Sequence, residues 1–99
     1  MPDEPAIPAS PSPAGGGPAP SDAGAVHDLV RQVIALYTER ILAERRATYP
    51  DDGRLAELME RQRACIADQQ RLRSAELGPA EVERIAAHYA ALHARLTAP

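Results

Sequence analysis

The stretch VHDLVRQVIALYTERI, residues 26–41, decides the fold of this chain, because its apolar side chains recur with the period of an α-helix. At 100° per residue they fall within one arc of about 160°. A side-chain oxygen of Ser21 or Asp22 can cap the first turn, and Pro50 disfavours helix at the residue before it. The pattern therefore predicts a helix over residues 25–48. The apolar set comprises Val26, Leu29, Val30, Val33, Ile34, Leu36, Tyr37 and Ile41.

Two further helices are predicted downstream, each bounded by residues typical of helix ends. The corner Asp51-Asp52-Gly53 precedes a heptad-like apolar seam, which predicts a helix over residues 53–75. Gly78-Pro79 then closes that helix and opens a third over residues 79–97, because glycine favours the position after a helix and proline its first turn. Three helices joined by short corners predict an all-α fold, a small antiparallel three-helix bundle.

The N-terminal residues differ in composition from the rest of the chain. Seven of the ten prolines lie within the first twenty residues, together with the run Gly15-Gly16-Gly17. Such a segment has too few large apolar side chains to offset the entropy of ordering it. We therefore expect a disordered Pro/Ala/Gly-rich tail over residues 1–24, followed by one helical domain over residues 25–99.

Charge is balanced in the helical part. Asp3, Glu4 and Asp22 carry the formal net charge of −3, and from residue 25 onward eleven arginines meet eleven acids. This mixed surface has no electrostatic footprint for nucleic acid or anionic lipid, so neither is an expected partner. No apolar run approaches the roughly 18 residues of a membrane span, no secretory signal begins the sequence, and Cys65 is the single cysteine. We expect a cytoplasmic protein.

The helical domain has few large side chains with which to build a core. It contains no Phe or Trp and only three tyrosines, and self-association is a common remedy for a core this thin. The seam of the second helix is the predicted interface with another protein or a second copy, and the glutamines on it would fix its register. The interface candidates are Leu55, Leu58, Met59, Gln62, Ile66, Gln69 and Leu72.

Four charged or titratable residues fall on otherwise apolar faces of the predicted helices. They are Arg40 and Glu44 on the first helix, Arg73 on the second and His93 on the third. Burying such a group without a partner costs about 1–3 kcal/mol or more. Each therefore lies at a solvated margin of the bundle, specifies a protein partner, or belongs to a ligand site, and the sequence leaves these three readings open.

Two alternative functions come from other classes of protein. The layout of one long helix and two shorter ones is similar to that of the small all-helical chorismate mutases, although no motif aligns and this chain has no lysine. That resemblance implies an enzyme that binds a dicarboxylate with inward arginines, here Arg40 and Arg73 with a glutamine of the second helix. The other alternative is a DNA-binding regulator, because residues 77–86 look like the opening of a helix-turn-helix. The same helical period continues through residue 96 without a glycine turn, which disfavours it.

No residue pattern predicts a catalytic, cofactor or metal site. His88 and His93 lie about 140° apart around a helix, His27 is remote in sequence, and Cys65 lies on an apolar seam. The sequence therefore favours a non-enzymatic helical module that acts by contact with another protein, with self-association as the expected form.

Overall fold

The computed structural model describes residues 22–74 and 76–99, in which three α-helices follow one another. They are α1 (Ala23–Arg46), α2 (Asp52–Arg73) and α3 (Pro79–Thr97). The described residues contain no strand, and the prediction of an all-α fold with three helices is confirmed. The predicted tail over residues 1–24 lies almost wholly outside the described part of the chain.

The helix ends follow from local chemistry. The Oδ1 atom of Asp22 accepts a hydrogen bond from the Ala25 N–H at 2.8 Å, and that of Asp51 accepts one from the Arg54 N–H at 3.0 Å. These aspartates cap α1 and α2 because each satisfies a first-turn N–H that has no partner within the helix. α3 has no side-chain cap and instead begins with Pro79 at its first position.

α1 ends earlier than the sequence predicts. The expected end was residue 48, before Pro50, but Ala47 is already extended, with ψ at 150°. The chain then turns through residues 47–51, and the Glu44 Oε2 atom accepts a hydrogen bond from the Asp51 N–H at 2.8 Å. α1 therefore ends two residues before the predicted position, and a local contact spans the corner that follows it.

α1 is the central helix, since the main inter-helix contacts join it to α2 and to α3. Along the pair formed with α2, His27 lies next to Arg73, Thr38 next to Gln62, and Glu44 next to Arg54. Residue numbers fall on α2 as they rise on α1, which is consistent with the antiparallel arrangement expected from a short connection.

The core consists of the apolar arc of α1 and the facing stripes of the other helices. Val26, Val30 and Val33 are fully buried, and Tyr37 and Tyr89 supply aromatic area. No polar or charged residue is buried among those the structure describes. None of the three helices combines the length and apolarity needed to cross a bilayer. The remaining core residues are Ile41, Leu58, Cys65, Leu72, Ile85, Ala86 and Leu92.

Because Val30 is enclosed on all sides, we expect Val30→Ala to lower the free energy of unfolding by about 2 kcal/mol through lost burial and a residual cavity. Urea unfolding followed by circular dichroism measures the change. Gln32→Ala, at an exposed position of the same helix, is the control and should shift stability by less than about 0.5 kcal/mol. Equal effects of the two substitutions would contradict the assigned core.

Candidate functional site

The predicted interface residues of α2 have different environments. Leu58 and Leu72 are buried in the core beside Cys65, and Leu55 and Met59 are partly buried against it. Ile66 keeps 38% of its surface exposed. Many of these side chains therefore pack within the core of one chain. The exposed part of the seam lies along the flank of α2 that carries Met59 and Ile66.

The two glutamines of the seam are half-buried. The amide nitrogen of Gln62 donates to the Ile34 carbonyl at 3.1 Å and to the Thr38 hydroxyl at 2.8 Å. Gln62 therefore links α2 to α1 within one chain. For Gln69, the described residues provide no comparable side-chain hydrogen bond.

The four polar residues predicted on apolar faces lie apart from one another and have different surroundings. Glu44 pairs with Arg54 at 3.4 Å, and the Nε atom of Arg73 lies 3.4 Å from the His27 Nε2 atom. Arg40 donates from Nη2 to the Leu96 carbonyl at 2.7 Å. The fourth residue, His93, is half-buried on α3.

The residues required by the chorismate-mutase-like alternative are not brought together. Arg40 contacts the C-terminal end of α3, whereas Arg73 contacts His27 near the start of α1. Gln62 faces Thr38 between α1 and α2. A pocket built from these three side chains is therefore not formed.

A different group of arginines does converge, in a cavity of about 240 Å³ that residues of all three helices line. We call it the arginine cleft. It adjoins a cavity of about 190 Å³ that shares four of its residues and extends to Cys65 and His88. The arginine cleft is lined by Tyr37, Arg40, Arg54, Glu57, Leu58, Arg61, Leu92, Arg95 and Leu96.

The lining of the arginine cleft is electropositive, with four arginines and one glutamate. Arg54 is paired with Glu44 outside the cleft, and Arg61 with Glu57 at 3.3 Å. Within the described residues, no carboxylate forms an ion pair with Arg40 or Arg95. The sequence does not reveal this group, because only Arg54 and Arg61 share a helix, and their seven-residue spacing is the one available signal.

A second surface lies on the α1–α2 pair, and residues of α3 take no part in it. A cavity of about 170 Å³ there is lined by Thr38, Ile41, Leu42, Arg45, Met59 and Gln62. Leu42 is 39% exposed, and Ile66 follows Gln62 by one helical turn on the same flank of α2. We call the surface formed by Thr38, Leu42, Arg45, Met59, Gln62 and Ile66 the outer face.

A partly buried polar contact joins α2 and α3. The Tyr89 hydroxyl donates to the Asp68 Oδ2 atom at 2.6 Å, and both Tyr89 and Cys65 are buried. Burial raises the pKa of the Tyr89 hydroxyl, and its bond to Asp68 raises it further. Burial also raises the pKa of the Cys65 thiol, against an opposing contact with Tyr89. A thiol held neutral in this way is a poor nucleophile.

Neither surface has the donors of a metal centre. Across residues 22–74 and 76–99, no group of three or more His, Cys, Asp or Glu side chains is placed to hold an ion. Comparisons with protein-family models, with curated proteins and with solved structures found no match. The function of the chain is therefore inferred from its two surfaces.

The buried Tyr89 and Cys65 groups predict a loss of stability in alkali. Both pKa values are raised in the folded state. The stability that the neutral groups contribute is therefore complete below their ordinary pKa values, near 9.0 for Cys65 and 10.0 for Tyr89, and is lost as the pH rises above those values. The free energy of unfolding should fall by up to about 1.4 kcal/mol per pH unit for each group. Urea titrations between pH 7 and 11 measure this slope.

Tyr89→Phe should remove the part of the slope that begins near pH 10, and it should cost about 1 kcal/mol at pH 7 through the lost bond to Asp68. Tyr49→Phe is the matched control, because the Tyr49 side chain is 89% exposed and should change neither quantity. An unaltered alkaline slope in Tyr89→Phe would refute the buried hydroxyl assignment.

Proposed function

We propose that this protein is a non-enzymatic helical contact module of the cytoplasm that pairs with a second copy of itself through the outer face. The observation that carries the proposal is the position of Leu42 and Ile66. Among the described helices they are the large apolar side chains left exposed, with 39% and 38% of their surface accessible, and both belong to the outer face. Cys65 is the single cysteine and is buried, so the chain forms no internal disulfide, which suits the reducing compartment.

The outer face has the form of a shallow apolar strip. Met59 and Ile66 are seven residues apart on α2, so their side chains lie on one flank about 10 Å apart along the axis. Leu42 approaches Met59 from α1 across the small cavity between them. A strip of this kind on a second copy can cover these side chains and remove their apolar surface from water.

Net charge does not oppose the pairing, and Arg45 is the one charged side chain of the outer face itself. The eleven arginines and eleven acids from residue 25 onward cancel, and a net charge near zero permits close approach of two identical domains. On the helix turns that flank the outer face, Arg31 already pairs with Asp28 and Arg63 with Glu60. These arginines therefore have counterions of their own when two faces meet.

The expected affinity is modest because the outer face is small. Leu42 and Ile66 are already more than half covered within one chain, so pairing buries only the rest of each side chain. Association must also offset the lost translational and rotational freedom of the two copies. We expect a dissociation constant on the order of 10–100 µM, at the weak end of specific protein pairs.

The rival functions have less support. For the enzyme alternative, Arg40, Arg73 and a glutamine of α2 would have to share a pocket, but Arg40 contacts Leu96 and Arg73 contacts His27. For the DNA-binding alternative, a turn should precede a recognition helix, but α3 is continuous from Pro79 to Thr97. Self-pairing instead requires only side chains that are exposed on the surface of the domain.

Introducing charge on the outer face should abolish pairing. We expect the wild-type chain to shift from monomer toward dimer between about 5 and 500 µM, and Leu42→Glu/Ile66→Glu to stay monomeric because two carboxylates would be buried at the contact. Sedimentation velocity measures the mass at each concentration. Circular dichroism verifies that the variant remains helical.

Ala87→Glu is the matched control, since Ala87 is an exposed position of α3 outside the outer face. It should dimerise like the wild type. A wild-type chain that stays monomeric at about 500 µM would contradict the proposal. So would an Ala87→Glu variant that loses pairing to the same extent as Leu42→Glu/Ile66→Glu.

A further inference from the structure

The arginine cleft is one end of a longer groove that runs between α2 and α3. The adjoining cavity that reaches Cys65 and His88 continues it, followed by one of about 240 Å³ that Asp68 and Tyr89 help to line. Along these cavities the lining of α2 advances from residue 54 to residue 71, while that of α3 recedes from residue 96 to residue 81. We call this continuous depression the α2–α3 groove.

The two ends of the α2–α3 groove differ. At one end the Tyr89 hydroxyl donates to Asp68 at 2.6 Å, and Arg71 pairs with Glu81 at 2.7 Å, so these bonds join the two helices. Around the arginine cleft, the polar contacts of the described residues join α1 to α2 or to α3, or stay within α2. The groove is therefore open from residue 54 to residue 65 of α2, about 16 Å at 1.5 Å per residue.

The floor of the open part is apolar. Tyr37 of α1, Leu58 of α2 and Leu92 of α3 line it, and each is at least nine-tenths buried in the core. Leu96 and Cys65 extend this floor toward its two ends. An occupant with an apolar ridge would be stabilised here, because contact with the floor removes that ridge from water.

Arginines outnumber carboxylates on the walls of the open part. One carboxylate, Glu57, faces four arginines there, and it is already paired with Arg61. No carboxylate of the described residues forms an ion pair with Arg40 or Arg95. Complementary charge at this surface therefore has to come from carboxylates of the occupant. The four arginines are Arg40, Arg54, Arg61 and Arg95.

A helical occupant suits the α2–α3 groove better than an extended peptide. An extended peptide has backbone N–H and C=O groups that need partners, and it finds them at the edge of a sheet. The walls of this groove are helices, whose backbone groups are bonded within each helix. A helical occupant satisfies its own backbone and offers only side chains, so it can lie beside α2 and α3 as the fourth helix of a bundle.

We propose that the open part of the α2–α3 groove binds an acidic amphipathic helix of a partner protein. The apolar ridge of that helix lies on the floor, and its flanking carboxylates face the arginines of the walls. The open length corresponds to about three helical turns of the partner. A segment this short is marginally helical in isolation, so ordering it opposes binding, and the expected dissociation constant is on the order of 10–100 µM.

The test uses a fluorescently labelled peptide of about 18 residues made of leucine, alanine and glutamate, with leucines on one helical face and glutamates on both flanks. One counterpart replaces every glutamate with lysine, and a second disperses the leucines around the helix. In fluorescence anisotropy at about 150 mM salt, the acidic amphipathic peptide should bind with a dissociation constant below about 100 µM. Both counterparts should bind at least about tenfold more weakly.

Ala64→Glu should weaken binding of the acidic peptide at least about tenfold. Ala64 is exposed on the groove wall, so the new carboxylate would face those of the peptide. Ala56→Glu is the matched control, because Ala56 is exposed on the same helix but lies about 140° around it from Arg61. It should bind like the wild type, and circular dichroism verifies that both variants remain helical.

Arg95→Gln tests the recognition of charge. It should weaken binding of the acidic peptide at least about threefold and reduce the dependence of affinity on salt, because one charge-assisted contact is lost. Arg63→Gln is an identical charge change at an exposed position of α2 outside the groove, and it should alter neither quantity.

Four results would overturn the proposed site: no binding of the acidic peptide, equal binding of its lysine counterpart, equal weakening by Ala64→Glu and Ala56→Glu, or tighter binding of a short DNA duplex. Loss of self-pairing in Ala64→Glu would assign the groove to a second copy and would likewise overturn it. The monomeric Leu42→Glu/Ile66→Glu variant should bind the acidic peptide normally, since neither residue lines the groove. Failure of the pairing proposal is thus distinguishable from failure of this one.

Discussion

Packing of one apolar arc of α1 against two helices is the constraint on which the rest of this structure depends. Val26, Val30 and Val33 have no exposed surface because α2 and α3 cover the same helix from its two flanks. Apolar burial of this kind is the main favourable term in folding. With no Phe or Trp in the chain, the arc of α1 and the two buried tyrosines provide much of that burial.

Both surface features follow from this central position of α1. Because α2 and α3 each pack mainly on α1, a cleft lined by all three helices stays open, and arginines surround it. On the other flank of the α1–α2 pair, α3 is absent from the surface, and Leu42 and Ile66 stay partly exposed. The packing of both helices on α1 thus leaves two separate surfaces, the arginine cleft and the outer face.

Features that depend on neighbouring residues were predictable from the sequence. The apolar period located all three helices, and Asp22, Asp51 and Pro79 mark their starts by capping and backbone chemistry. The end of α1 and the role of Gln62 were not predictable in this way. The role of Gln62 depends on Thr38, a partner far along the chain on another helix, and the corner after α1 carries a contact between the Glu44 side chain and the Asp51 backbone.

The sequence by itself determined the helices, their apolar stripes and the balance of charge, because each is a property of local spacing and composition. Only the tertiary structure decided which polar residues meet. Arg40, Arg61 and Arg95 are scattered over three helices and share a cleft only after the helices pack, whereas Arg40 and Arg73 on neighbouring helices stay apart. The physical reason is that a helix sets the angle of each side chain about its own axis, while the packing of helix against helix sets which angles face one another.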